Sequence, residues 1–218
     1  VKDPATPHVR WVMFCLLLAG TALLSLLARG DGVMSVDVRL QRFVQRAPEP
    51  IFRWIADFGN WIGSAAVCAV IGFAALLFLS WRRQPVAAAL VLIAFAARLQ
   101  NMALKSFFDS ARPTADLVRI DEIAGGLGFP SGHAMGTTLF FGSIAIISHR
   151  LIPHRRKRRS VHFLCLTIIV VVGFGRIFVG AHWPSDVLGG FLYGLIFLIV
   201  IAALIDFITR RYLTFTAG

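Results

Sequence analysis

The run WIGSAAVCAVIGFAALLFLSW, Trp61 to Trp81, carries no charged residue across 21 positions. A hydrocarbon core about 30 Å thick is crossed by about 20 helical residues, each rising about 1.5 Å. The run is therefore read as a transmembrane helix, with a tryptophan at each interface. Five further runs have the same character: Trp11 to Ala28, Val86 to Phe108, Gly132 to Ser148, Val161 to Gly180 and Ser185 to Phe207. The expected fold is all-α and polytopic, a bundle of six transmembrane helices with both termini on one side. Lys2 and Arg10 precede the first run as they would in a signal peptide. That run is longer than the usual apolar stretch of about 7–15 residues, so it reads as a span.

Composition agrees. Hydrophobic residues make up 57% of the chain and charged residues only 15%, with a mean hydropathy of +0.76, far from soluble averages. With no repeat, low-complexity tract or linker, residues 1–218 read as one integral membrane domain. Cys15, Cys68 and Cys165 each sit in an apolar run, where a small hydrophobe is expected rather than a disulfide or metal ligand.

One stretch is too polar to span. From Val36 to Phe58, Asp37, Arg39, Arg42 and Arg46 alternate with Val38, Leu40, Phe43, Val44, Ile51, Phe52 and Ile55, interrupted by Pro48 and Pro50. Two short amphipathic helices lying on the outer membrane surface are expected.

The basic residues set the orientation. Lys2, Arg10, Arg82, Arg83, the run from His149 to Arg159, Arg210 and Arg211 all fall on one side of the bundle. By the positive-inside rule that side is cytoplasmic. The net charge of +11 and pI near 11.2 thus reflect topology and anionic membrane lipids rather than a nucleic-acid partner.

Three separated fragments then fall together on the opposite side. They are Lys105 with Arg112 and Pro113, the run Pro130, Ser131, Gly132 and His133, and Arg176 with His182 and Asp186. Lys105 and Arg112 offer a point charge and a planar fork to the oxygens of one phosphoryl group. Ser131 is a good N-cap, leaving the Gly132 amide free to meet an anion at a helix start, with His133 in the first turn. Asp186 lies four residues beyond His182, where it can cap the last helix or fix the imidazole tautomer. The inventory suits a phosphate dianion transferred through histidine.

The spacing Lys105-x6-Arg112-Pro113, then Pro130-Ser131-Gly132-His133, then Arg176-x5-His182-x3-Asp186 resembles the type 2 phosphatidic acid phosphatase superfamily, whose members include glucose-6-phosphatase and vanadium haloperoxidases. Six spans make the chain similar to its membrane-bound bacterial lipid phosphatase branch. The resemblance implies a phosphatase for phosphatidylglycerol phosphate, phosphatidic acid or undecaprenyl diphosphate, in the bacterial cytoplasmic membrane with its site facing the periplasm or exterior. It implies His182 as nucleophile oriented by Asp186, and His133 as general acid and then base. Lys105, Arg112, Ser131, Gly132 and Arg176 would bind the phosphate. One position departs from the pattern: Gly175 stands where serine usually precedes the arginine, removing a possible hydroxyl contact.

No metal or other cofactor is expected, since three cations would repel a divalent ion and already do its electrostatic work. Two alternatives use the same anion cage: a non-enzymatic phospholipid carrier and a vanadate-dependent peroxidase. Outside the motifs, Arg98, Asn101 and Lys105 share one helical face, and Arg98 and Asn101 read as a polar strut beneath the site. Gly189, Gly190 and Gly194 are expected to permit close helix packing. Asp206 is expected to pair with Arg210 or snorkel.

Overall fold

The computed structural model describes residues 7–30 and 32–215, with side chains at 8–30 and 32–211. Lys2 lies outside them. All regular structure among these residues is helical: α1 Pro7–Leu27, α2 Ser35–Val44, α3 Ile51–Gly63, α4 Ala65–Trp81, α5 Pro85–Ala97, α6 Gln100–Phe108, α7 Gly132–Leu151, α8 Arg155–Phe178 and α9 Pro184–Phe215. Four stretches are long and apolar enough to cross a membrane: His8–Leu27, Pro85–Phe108, Arg155–Phe178 and Pro184–Arg211. The pair α3 and α4, bent by 55°, makes a fifth when counted as one span.

That bend divides the charge-free run from Trp61 to Trp81. Ser64 is extended rather than helical, and its hydroxyl accepts from the Val67 amide to cap α4. Serine competes with the helix for backbone hydrogen bonds, which hydropathy does not register. Trp61, Ile62 and Gly63 therefore finish α3 instead of opening α4. The run expected from Val86 to Phe108 is likewise interrupted, at Arg98 and Leu99. The basic run is only partly a loop, because Arg155 to Arg159 already belong to α8.

The centre of the bundle is α7, packed against α5, α8 and α9. It spans 20 residues but falls outside the stretches that qualify by apolar composition. Three of its buried hydroxyls are satisfied within the helix. Thr137 donates to the His133 carbonyl at 2.8 Å, Thr138 to Ala134 at 2.8 Å and Ser143 to Phe140 at 2.7 Å. Around them Leu90, Val91 and Ala94 of α5, Met135 and Leu139 of α7, Val172 of α8 and Leu198 of α9 form the main core. Glycines seat α9 on its neighbours as expected: Gly189 lies under the Phe129 ring, Gly190 on the Ser131 carbonyl and Gly194 on Thr138.

The basic ends meet away from the motif residues. Arg82, Gln84, Leu151 and Ile152 line one cavity, and Arg10, Trp11 and Asp206 another. Asp206 accepts from Arg210 at 2.8 Å.

Both helices of the Val36 to Phe58 segment are present, but neither is loosely apposed to the bundle. α2 buries Asp37 and Gln41 while Phe43 is 70% exposed. Asp37 accepts from the Ser185 amide at 2.8 Å and hydroxyl at 2.7 Å, holding the first turn of α9. α3 leaves Trp54 75% exposed and packs its small residues along α8, Gly59 against Val171 and Gly63 against Val172.

Gly175 belongs to the same seam. A Cβ there would lie 2.7 Å from the Ala56 carbonyl oxygen, a backbone atom that cannot swing aside. Glycine is thus required by the close approach of α3, which occupies the space of a larger side chain. Gly175→Ser is expected to lower stability by about 1–3 kcal/mol, read as a lower unfolding midpoint in detergent. An unchanged midpoint would mean that α3 does not press on α8 here.

Candidate active site

The third motif is built by the start of α9. Pro184 begins the helix, and the Asp186 carboxylate, 0% exposed, turns back over the first turn. Its Oδ2 accepts from the Trp183 amide at 3.0 Å and lies 3.2 Å from Nδ1 of His182. On the other side of the imidazole, Arg112 Nη1 is 3.2 Å from Nε2. A guanidinium only donates, so Nε2 is the acceptor and the ring proton sits on Nδ1, facing Asp186. Burial first, then the charges of Arg112, Lys105 and Arg176 and the His133 imidazole, hold His182 well below the ordinary histidine pKa. Its neutral form, with the Nε2 lone pair toward the cations, is the resting form.

The second motif is tied directly to the third. The Ser131 amide donates to the Asp186 carbonyl at 2.9 Å, and Asn101 Nδ2 donates to the Pro130 carbonyl at 3.0 Å. Ser131 caps α7, its hydroxyl accepting from the Ala134 amide at 3.5 Å. The side chain is fully buried. Gly132 and His133 follow, partly exposed, and line a cavity of about 430 Å³.

The cations approach through the irregular segment between α6 and α7. Lys105 Nζ donates to the Gly128 carbonyl at 2.9 Å and to that of Leu127. Gly128 in turn lies so close to Asp186 that a Cβ would be 3.0 Å from Oδ2. Arg112 Nε donates to the Gly126 carbonyl at 2.8 Å, and its Nη1 to that of Ala181 at 2.6 Å. The segment itself is held from α2: Arg42 donates to the Leu117 carbonyl at 2.8 Å and Gln45 to that of Arg119 at 2.7 Å.

Arg176, only 3% exposed, is more constrained than its spacing implies. Glu122 accepts from Nη1 and Nη2 at 3.0 Å each, and Asn60 Oδ1 also accepts from Nη1 at 3.0 Å. Its Nε is buried and finds no hydrogen-bond partner among the described residues. Glu122 and Asn60 are site residues that motif spacing misses. The signal available in the sequence was the need of a deeply placed arginine for a counter-charge. Which carboxylate would reach it depended on a segment without periodicity.

All eight expected site residues therefore gather at one end of the bundle: Lys105, Arg112, Ser131, Gly132, His133, Arg176, His182 and Asp186. Of the two residues expected to form a strut, Asn101 braces the Pro130 carbonyl, and both Asn101 and Arg98 line the cavity that His133 lines.

Comparison with known proteins places this geometry. The PAP2 superfamily model matches residues 85–210. Phosphatidylglycerophosphatase B of Bacillus subtilis (strain 168) is 33% identical over 115 residues, covering 52% of this chain and 55% of the relative. The chain thus spans about half the length of that relative. Among solved structures, the transmembrane PAP2 type phosphatidylglycerolphosphate phosphatase from Bacillus subtilis superposes with a TM-score of 0.74 at 23% identity, covering 88% of this chain and 96% of that one. Aquifex aeolicus LpxE gives 0.62 at 22% identity, covering 78% and 96%. These likenesses concern the fold, whereas the matched domain includes every expected site residue, and by it this integral membrane chain belongs to the PAP2 superfamily.

Proposed function

We propose that this chain is a metal-independent phosphatase acting on a phosphate or diphosphate of a membrane lipid through a phosphohistidine intermediate. The observation that carries the reading is the setting of His182: Nδ1–H against Asp186, Nε2 toward Arg112, and Lys105 and Arg176 close by. A neutral imidazole with its lone pair aimed among cations is arranged to attack phosphorus. The name of the Bacillus subtilis relative, a phosphatidylglycerophosphatase, and the membrane helices support a lipid substrate.

Nε2 forms a bond to phosphorus as the bond to the leaving oxygen breaks, and His133 protonates that oxygen. Asp186 steadies the imidazole while it carries positive charge. Lys105, Arg112 and the Gly132 amide stabilise the equatorial oxygens, Ser131 keeping that amide in place as the cap. Arg176 contributes its remaining Nε–H, with Glu122 and Asn60 holding the guanidinium plane. Water then attacks phosphorus, giving its proton to His133, as the Nε2–P bond breaks with its electron pair returning to His182, and inorganic phosphate leaves.

The whole chain functions as a single phosphatase domain. α7 serves as the sixth span, shielded from lipid by its neighbours, and α2 lies at the outer surface with its apolar side toward lipid. Both termini face the cytoplasm and the site faces the periplasm or exterior of a bacterial inner membrane.

Purified protein should release phosphate from lipid phosphates in a chelator, and His182→Asn should abolish release and the acid-labile phosphoenzyme. Phosphate release by the variant at the wild-type rate would overturn the mechanism, as would activity recovered only with added divalent ion. Glu122→Gln should lower kcat/KM about tenfold, equal to about 1.4 kcal/mol of transition-state stabilisation. A rise would show that Glu122 competes with substrate for Arg176. The unfolded chain binds a proton on histidine near pH 6.5, whereas buried His182 resists it. Its contribution to stability is thus full above about pH 6.5 and declines as pH falls. Unfolding midpoints of His182→Asn should fall less steeply than wild type between about pH 6.5 and 5.

A further inference from the structure

The fourth cation near the site belongs to none of the three motifs. Arg98 interrupts the helix between α5 and α6, and its guanidinium lies against Gly136, where a Cβ would be 2.8 Å from Cζ and Nε. Gly136 is one helical turn into the bundle from His133. Among the described residues no carboxylate lies within ion-pair distance of Arg98, and the nearby Cys68 thiol donates to the Ile62 carbonyl. Arg98 also lines the cavity of about 430 Å³ formed with Gly132 and His133, whose remaining walls include Phe95, Leu99 and Met102.

This position has a direction in the proposed reaction. His182 attacks from one side of phosphorus, so the leaving group departs on the other, toward His133 and the cavity. An uncompensated arginine within the apolar part of a membrane protein is costly unless a negative charge meets it. A diacylglycerol leaving group offers none. A leaving group that carries a phosphate of its own does.

We propose that Arg98 is a specificity-determining residue that binds a second phosphate on the leaving group, selecting lipid diphosphates or lipids with a nearby phosphodiester over simple lipid monoesters. The inference rests on the phosphatase reading above. With a diphosphate, the Nε2–P bond forms and the bridging P–O bond breaks. The bridging oxygen keeps the electron pair, takes the His133 proton, and departs as a lipid monophosphate held by Arg98.

The test compares kcat/KM for undecaprenyl diphosphate, phosphatidylglycerol phosphate and phosphatidic acid in mixed micelles. Arg98→Gln should lower the ratio of at least one second-phosphate substrate to phosphatidic acid by about tenfold or more, and Arg98→Lys should restore part of it. Comparing the two substrates shows whether the diphosphate or the more distant phosphodiester reaches Arg98. A ratio within about twofold of wild type for both would overturn the proposal, because a purely structural role lowers all three rates together. A measurement on wild type is independent of how the variants fold. Farnesyl methylenediphosphonate should inhibit phosphatidic acid hydrolysis at least about tenfold more tightly than farnesyl phosphonate. Equal inhibition would overturn the proposal. Release of phosphate from none of the lipids would instead overturn the phosphatase reading itself.

Discussion

Asp186 joins what the chain keeps apart. Its side chain receives the His182 ring and the Trp183 amide, while its own carbonyl receives the Ser131 amide at the start of α7. One residue therefore sets the imidazole tautomer, closes the entry to α9 and fastens α7 to α9 at the level of the site. Gly128 packs against the same carboxylate, which brings Lys105 along through its bond to the Gly128 carbonyl. A fully buried carboxylate is tolerated only with donors arranged around it. Here Oδ2 has two, the His182 ring and the Trp183 amide, while buried Oδ1 finds none among the described residues.

A second layer surrounds this centre and comes from outside the matched domain. α2 and α3 contribute Asp37 to the first turn of α9, Arg42 and Gln45 to the segment before α7, and Asn60 to Arg176. In a soluble protein an amphipathic helix turns its apolar side to the core. α2 does the reverse, burying Asp37 and Gln41. The segment thus braces the site while presenting Leu40 and Phe43 outward.

Gly175 shows how two departures from expectation share one cause. Read from the motif, it is a lost hydroxyl beside Arg176. In the fold it is the contact where α3 meets α8, and the arginine gains the Asn60 amide oxygen from the helix that crowds it. Close packing of small residues is a common way for helices to associate in membranes.

The sequence by itself determined that the chain is helical and membrane-embedded, that its basic ends lie together, and which eight residues gather as the candidate site. Apolar run length and charge placement are local quantities, and the motif residues sit at run ends, so loop order alone brings them to one side. Only the tertiary structure decided where the runs break, as at Ser64 and Arg98, and which groups complete the site. A serine hydroxyl that caps one helix, a glutamate reaching Arg176 from an irregular segment, and an arginine resting on Gly136 are contacts between residues distant in sequence or set by backbone geometry. Hydropathy and spacing carry no term for such contacts, because each exists only once the helices have packed.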